Sequence, residues 1–369
     1  MAFTYIFQSD DTGAPQVSNV LNELITALGM ILGTTGYNST VPTILSRVGT
    51  LVTVTDTAHG RKSNDIITVT GANESGFNGD FKITWIDANS YSYVSAISGT
   101  TTATGTFSAK KKGLGWTPSF TGTNRAAWIT PNIGKYVEFF ENAATTFQIT
   151  GWGAMTASNT GTNSITSAGS QTKATTGDSC WALVSDGKFC YLFTSASLMS
   201  GGFSLASFNV AVFGEYDHVN PSAINNLMVG HQSSASASPF MVAIAGTALK
   251  CLNRADDTIT LPLVSLRLPV SLYSGNLYVF APTASQSFYA SPDFETNGEV
   301  FFKPTVIDVG VKSVLGEWPL LLVATQDLLT QYGNLATIPF VGGNLAGKSG
   351  YLIKANLQTT TAFLVFRID

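Results

Sequence analysis

Five short segments between residues 50 and 110 leave this chain little choice of architecture. TLVTVTD (50–56), DIITVTGA (65–72), GDFKITWID (79–87), SYSYVSA (90–96) and TATGTFSAK (102–110) are each rich in Val, Ile, Thr, Tyr or Phe, and each is bounded by Gly, Asn, Asp or Ser. Apolar and polar residues alternate with period two, the spacing of a half-buried strand, and the intervening ANESGFNGDF and SGTTTATGTF carry turn residues. Five strands in so short a span predict a small antiparallel β module, sandwich or barrel and Ig-like in size, over residues 46–112. The same texture continues to the C-terminus in KYVEFFENA, TFQITGWGAM, CWALV, KFCYLF, FNVAVFG, FMVAIAG, SGYLIKA and TAFLVFRID. The expected fold is mainly β: an N-terminal helix, the small sandwich module, and a larger β-sandwich region over 113–369 of one or two domains.

One stretch breaks the pattern. Val17, Val20, Leu21, Leu24, Ile25, Leu28, Ile31 and Leu32 recur at three- and four-residue steps, with Pro15 suited to a first turn and Gly33 to the position past a last one. This predicts a helix over 15–32 in a strand/helix docking segment, 1–45. Val17, Val20, Leu21, Leu24, Ile25 and Leu28 would form its apolar face, buried on the chain's own domain or on a partner subunit. A second, short helix is expected near 325–332, capped by Thr325.

Charge is scarce: 11% of residues are Asp, Glu, Lys or Arg, against roughly 25% in an average soluble protein. Such a surface suits a chain packed against neighbours. A net charge of −4 with one basic run, Lys110-Lys111-Lys112, argues against nucleic acid as a partner. The run reads as a solvated linker, and the polar tract 156–178 as an exposed loop. No apolar run reaches the 18 to 20 residues of a membrane span, and MAFTYIFQSDD lacks the features of a signal peptide, so synthesis and assembly in a cytoplasm are expected. Three cysteines make no disulfide framework. With Asp186-Gly187 as a two-residue hairpin turn, Cys180 and Cys190 fall on opposite sheet faces as free thiols.

Catalytic signatures are missing: no phosphate loop, dinucleotide fingerprint, nucleophile elbow or His-Glu-x-x-His motif occurs. Glu215, Asp217 and His218 form the densest cluster of ionisable side chains. The bend at Asn220-Pro221 makes this a strand exit, with Asp217 or Asn220 capping the turn that follows. His59 reads as a turn residue. A Ser233–His231–Asp217 triad and a carboxylate pair drawn from Glu138, Glu141, Asp293, Glu295 and Glu299 are the remaining catalytic candidates. These carboxylates fall on turns and strand edges, where surface carboxylates sit. The expectation is no enzyme, no cofactor and no metal.

The segment from Val52 to Trp128 resembles a recurrent unit of structural proteins of tailed bacteriophages. It carries Val-Thr-Val-Thr, a His-Gly turn, a strand ending in Thr-Gly-Ala and then Asn-Gly-x-Phe. Gly115-Trp116 and Phe120 through Ala126 follow, then Trp181 through Gly187 with Tyr191 and Leu192, and then Phe213-Gly214-Glu215, where the group usually has Asp. The resemblance covers about residues 1–230. It implies a virion component of the tail tip or baseplate, acting through subunit packing with other virion proteins and copies of itself. Two alternatives belong to the same class: a receptor-binding tail protein and a head decoration or minor capsid protein. For the former, Tyr273, Tyr278, Phe288, Tyr289 and Phe294 are the candidate platform for a host surface glycan.

Overall fold

In a computed structural model, the described residues are 3–99, 101–166, 170–175, 177–195, 208–218, 226–232, 250–252, 260–262, 279–280, 287–288, 294–296, 299–301, 305–308, 313–324, 336–340, 345–356 and 361–368. The fold is mainly β, with antiparallel sheets and one α-helix among these residues. A seven-stranded sheet runs in the order Tyr5–Gln8, Trp181–Ser185, Phe189–Ser195, Phe208–Glu215, Leu227–Gln232, Lys250–Leu252, Thr260–Pro262. A second sheet is a meander of Thr117–Gly122, Arg125–Ile129, Tyr136–Ala143, Thr146–Ala157 and Thr160–Thr166, with Gln171–Thr172 pairing the fourth strand. Between the two sheets lies the main core, where Phe7, Leu183, Leu192, Phe213 and Val229 meet Trp116, Val137, Phe139, Phe147 and Ile149. Trp181–Ser185 and Phe189–Ser195 are buried at every position. Their other face is also covered: the Tyr191 ring lies 4.8 Å from Phe366 and its hydroxyl donates to the Pro319 carbonyl at 2.6 Å. A strand covered on both faces reads as continuous hydrophobicity, as CWALV and KFCYLF do.

The hairpin between those strands has a different register from the one expected. Ser185 stands opposite Cys190, because Asp186 accepts from the amides of Lys188 and Phe189 at 3.0 and 2.7 Å and shifts the turn. The shift is by two residues, which preserves the faces. Both thiols are free, with Cys190 buried and Cys180 half-buried.

The helix is shorter than its apolar spacing predicts. It spans Glu23–Leu32, and residues 15–22 are not helical. The carbonyls that an earlier start would commit to intrahelical bonds are taken by other segments. Pro15 O accepts from Trp181 Nε1, Val17 O from Ser179, and Val20 O from the Lys173 ammonium. Asn22, with φ of 69°, turns the chain into the helix. Leu24 and Leu28 enter the main core, Val17 reaches it from the preceding loop, and Ile25 packs against it half-buried. Val20 and Leu21 remain exposed. At the other end, the amides of Leu114, Gly115 and Trp116 donate to the carbonyls of Ile31, Gly33 and Leu32, satisfying groups a helix end leaves open.

Residues 37–111 form an eight-stranded sheet, three strands more than the sequence marks. Tyr37–Thr40, Ile44–Val48 and Thr101–Thr102 join Leu51–Thr55, Ile66–Ala72, Gly79–Asp87, Ser90–Val94 and Gly105–Lys111. Thr101–Thr102 pairs Ile44–Val48, whereas Gly105–Lys111 pairs Ile66–Ala72, so this one length of chain brings the two ends of the sheet together. The enclosed core contains Leu45, Val52, Val54, Ile67, Val69, Ile83, Tyr91 and Tyr93.

Two polar stretches are structured where loops are expected. The lysine run is the end of a strand and not a solvated linker. Lys111 is buried, 2.6 Å from both Asp11 and Asp65, and so ties the N-terminal segment to the small module. Tyr37 donates to Asp11 at 2.6 Å. Burial pushes the Asp11 carboxyl up, but Lys111 and Lys62 outweigh it and hold the group below its ordinary value. The tract 156–178 is likewise no free loop. Its residues 156–166 belong to a hairpin with Ala157 opposite Thr160, and Glu138 accepts from Ser158 Oγ at 3.0 Å and Asn159 N at 2.8 Å in the turn. The proposed helix at 325–332 lies outside the described residues.

Candidate interaction surface

The residues singled out for catalysis serve as anchors for backbone. Glu215 is buried, accepting from the amides of Asn132 and Ile133 at 2.8 and 3.0 Å and from the Asn132 side chain at 2.8 Å. Asp217, two residues on, is exposed and pairs with Lys188 at 2.5 Å. The two carboxylates thus take separate partners, and the turn that Asp217 was expected to cap lies outside the described residues. Asn220 lies outside the described residues, as do Ser233 and Asp293. Glu138 and Glu141 are not surface carboxylates: both are 1% exposed. Glu141 accepts from the amides of Asn22 and Ile25 at 2.9 and 3.0 Å and pairs with buried Lys173, which fixes the start of the helix. His59 is fully buried. Its Nδ1 accepts from the Arg61 amide at 2.9 Å, leaving Nε2–H to donate to the Asp87 carbonyl at 2.9 Å. Among the described residues, no three His, Cys, Asp or Glu side chains are grouped to hold a metal ion, and no helix is long and apolar enough to cross a membrane.

Of the proposed glycan platform, Tyr273, Tyr278 and Tyr289 lie outside the described residues. Phe288 stands opposite Val279 in one two-stranded ladder and Phe294 opposite Phe301 in another. Glu295 and Glu299 belong to the second ladder, and His231 pairs Ala211 in the seven-stranded sheet.

What the fold does assemble is an apolar exterior on the small module. Alternation along Ile44–Val48, Leu51–Thr55 and Ser90–Val94 turns Leu45, Val52, Val54, Tyr91 and Tyr93 inward. The opposite phase also carries apolar residues. Val48 pairs with Leu51 and Leu51 with Val94, so three neighbouring strands place a contiguous row at the surface, 70%, 50% and 67% exposed. Ile97 follows on the adjoining loop, 47% exposed. Ile44, Val41, Trp85 and Ile86 are also exposed, Ile44 at the other end of its strand and Trp85 and Ile86 on the adjoining strand Gly79–Asp87. A solvated sheet face is ordinarily polar, and contiguous apolar exposure marks a contact surface. The signal was present in VGTLVTV and YSYVSAI, where apolar residues occupy both phases of a strand. Only the structure shows which phase faces out and that the rows adjoin.

No family model matches the chain, and no curated protein matches it. Among solved structures, the chain is similar to the phage phi92 endosialidase, at 10% identity over 89% of this chain and 70% of that one, with a TM-score of 0.19. At that score the likeness carries no argument about fold or activity.

Proposed function

We propose that this chain is a structural subunit of a tailed-bacteriophage virion, of the tail tip or baseplate, assembled in the host cytoplasm and acting through packing without catalysis. The observation that carries the packing role is the exposed row Val48–Leu51–Val94 with Ile97 beside it, in a chain with few charged residues. Apolar side chains at 50–70% exposure gain by burial, at roughly 25 cal/mol per Å² removed from water. The phage context rests on the motif resemblance of residues 1–230. The partners on this reading are copies of the chain and other virion proteins.

The test is a triple variant, Val48→Ser/Leu51→Ser/Val94→Thr, compared with the parent by mass photometry and by incorporation into particles. Loss of assembly with an unchanged circular dichroism spectrum is the expected result. Normal assembly of the variant would remove this surface from the mechanism, and a particle map lacking the chain would remove the virion role.

A further inference from the structure

Three ionisable side chains are enclosed where the N-terminal segment meets the small module. Lys111 ends the strand Gly105–Lys111, in register between Ile67 and Tyr37 on its two neighbours. Its ammonium lies 2.6 Å from Asp11 Oδ2 and 2.6 Å from Asp65 Oδ1. Lys111, Asp11 and Asp65 are 4%, 8% and 7% exposed, and the ring centroids of Phe7 and Tyr37 each stand 5.7 Å from the ammonium. The nitrogen is at most one C–O bond farther from the Asp11 carboxyl carbon. Packing thus holds an amine nitrogen and a carboxyl carbon close together, which removes the entropy cost of bringing two reactants into contact.

The two carboxylates are not equivalent. Asp11 Oδ2 also accepts from the Tyr37 hydroxyl at 2.6 Å and the Gln8 amide at 3.1 Å, and the Lys62 ammonium lies 3.0 Å from Oδ1. Donors on both oxygens make the Asp11 carbon the more electrophilic one, and those on Oδ2 are placed to stabilise an oxyanion there. Asp65 takes the Lys62 amide on Oδ2 at 2.8 Å and leaves Oδ1 to Lys111, the position of a general base. The other buried pair has no such base. Lys173 meets one carboxylate, Glu141, and its further partner is the Val20 carbonyl, which cannot carry a proton away.

We infer that Lys111 and Asp11 condense into an intramolecular isopeptide bond, with Asp65 as the base. The Lys111 ammonium passes a proton to Asp65, the freed lone pair bonds to Asp11 Cγ, and negative charge gathers on Oδ2 beneath Tyr37 and Gln8. The Cγ–Oδ1 bond then breaks as the nitrogen gives up a second proton. Oδ1 leaves as water with both protons, which Asp65 relays before returning to its carboxylate form. An ammonium and a carboxylate become one secondary amide and one water, with no other reactant. Burial pushes the Lys111 ammonium down, but Asp11 and Asp65 outweigh it and hold it above its ordinary range, so the ion pair is the resting form and the condensation is slow. It has to occur only once. The product removes two charges from the interior and finds its partners in place: Tyr37 and Gln8 on the carbonyl, Asp65 on the N–H. It would fasten residue 11 to residue 111 whatever the chain's role in a particle.

The test is the denatured intact mass of the full chain, followed after folding until it is constant. The expected mass is one water below that of the sequence, and digestion should yield the peptide holding Asp11 joined to the peptide holding Lys111. Lys111→Arg keeps the positive charge but cannot form this bond and should retain the full mass, which separates the link from dehydration elsewhere in the chain. Asp65→Asn, folded by circular dichroism, should also retain it. A parent chain that stays at its full sequence mass would overturn the inference without reference to any variant. So would the same loss in Lys111→Arg, a link from Lys111 to Asp65, or an Asp11 link formed equally fast in Asp65→Asn.

Discussion

Replacing Glu141 by Gln should cost far more than its position in a polar turn sequence suggests. The carboxylate and the Lys173 ammonium are 2.5 Å apart, and both side chains are fully buried. The same carboxylate receives the Asn22 and Ile25 amides at the start of the helix, and Lys173 also donates to the Val20 carbonyl at 2.5 Å. Glutamine keeps one acceptor oxygen but turns an NH₂ toward donors and leaves Lys173 as a buried charge without its counter-ion. Removing one member of a buried pair costs about 3–5 kcal/mol. With a urea dependence of about 2–3 kcal/mol per M, the unfolding midpoint should fall by about 1–2 M. Trp116, Trp128 and Trp181 lie in the core that the helix enters and report the transition by fluorescence. Lys173→Met should cost a similar amount. Glu141→Gln/Lys173→Met should cost no more than either single change, because the amide oxygen still caps the helix and no charge is stranded. A fall of less than about 0.3 M for Glu141→Gln, or losses that simply add in the double variant, would refute the view that this pair holds the helix start.

Three further outcomes follow from the geometry. Burial pushes the Asp186 carboxyl up to about 6, despite the amides of Phe189 and Lys188 that donate to it. Its folded value lies above the unfolded value of about 3.9, so this group's contribution to stability declines as pH rises from about 4 through 6; Asp186→Asn should flatten that slope in urea melts at pH 4, 5, 6 and 7, and an unchanged slope would contradict the assignment. Gly36 has φ of +63°, and a Cβ there would stand 1.9 Å from the Lys111 carbonyl; Gly36→Ala should lose at least about 1–3 kcal/mol by chemical denaturation, a variant as stable as the parent being the contrary result. Cys190 is fully buried and its thiol is pushed up by burial; peptide mapping after iodoacetamide should find it unmodified in the folded chain at pH 8 and modified in urea, and native-state alkylation would show the sheet to open there.

How far the sequence discloses this molecule depends on the range of the interaction that decides each feature. Alternation is local, so DIITVTGA and SYSYVSA reveal themselves as strands, and CWALV and KFCYLF as strands covered on two sides. The helix end at Gly33 is equally visible. Its beginning is not, because residues 15–22 are held by Trp181, Ser179 and Lys173, more than 150 positions away. The lysine run and the tract 156–178 mislead for the same reason. A lysine beside two others looks solvated until Asp11, 100 residues earlier in the chain, is placed against Lys111. The hairpin in a Ser-, Thr- and Asn-rich tract looks unanchored until Glu138 supplies its turn with an acceptor.

These misread features have a common cause, and it bears on function. Low charge was expected to be a feature of the surface. Instead Asp11, Lys111, Glu138, Glu141, Lys173 and Glu215 are buried, each binding a distant segment by its backbone or by an opposite charge. Carboxylates that accept two or three donors hold loops in place without demanding a larger apolar core. Using them this way removes them from the exterior, which lowers the repulsion between neighbouring copies and the desolvation needed to pack them.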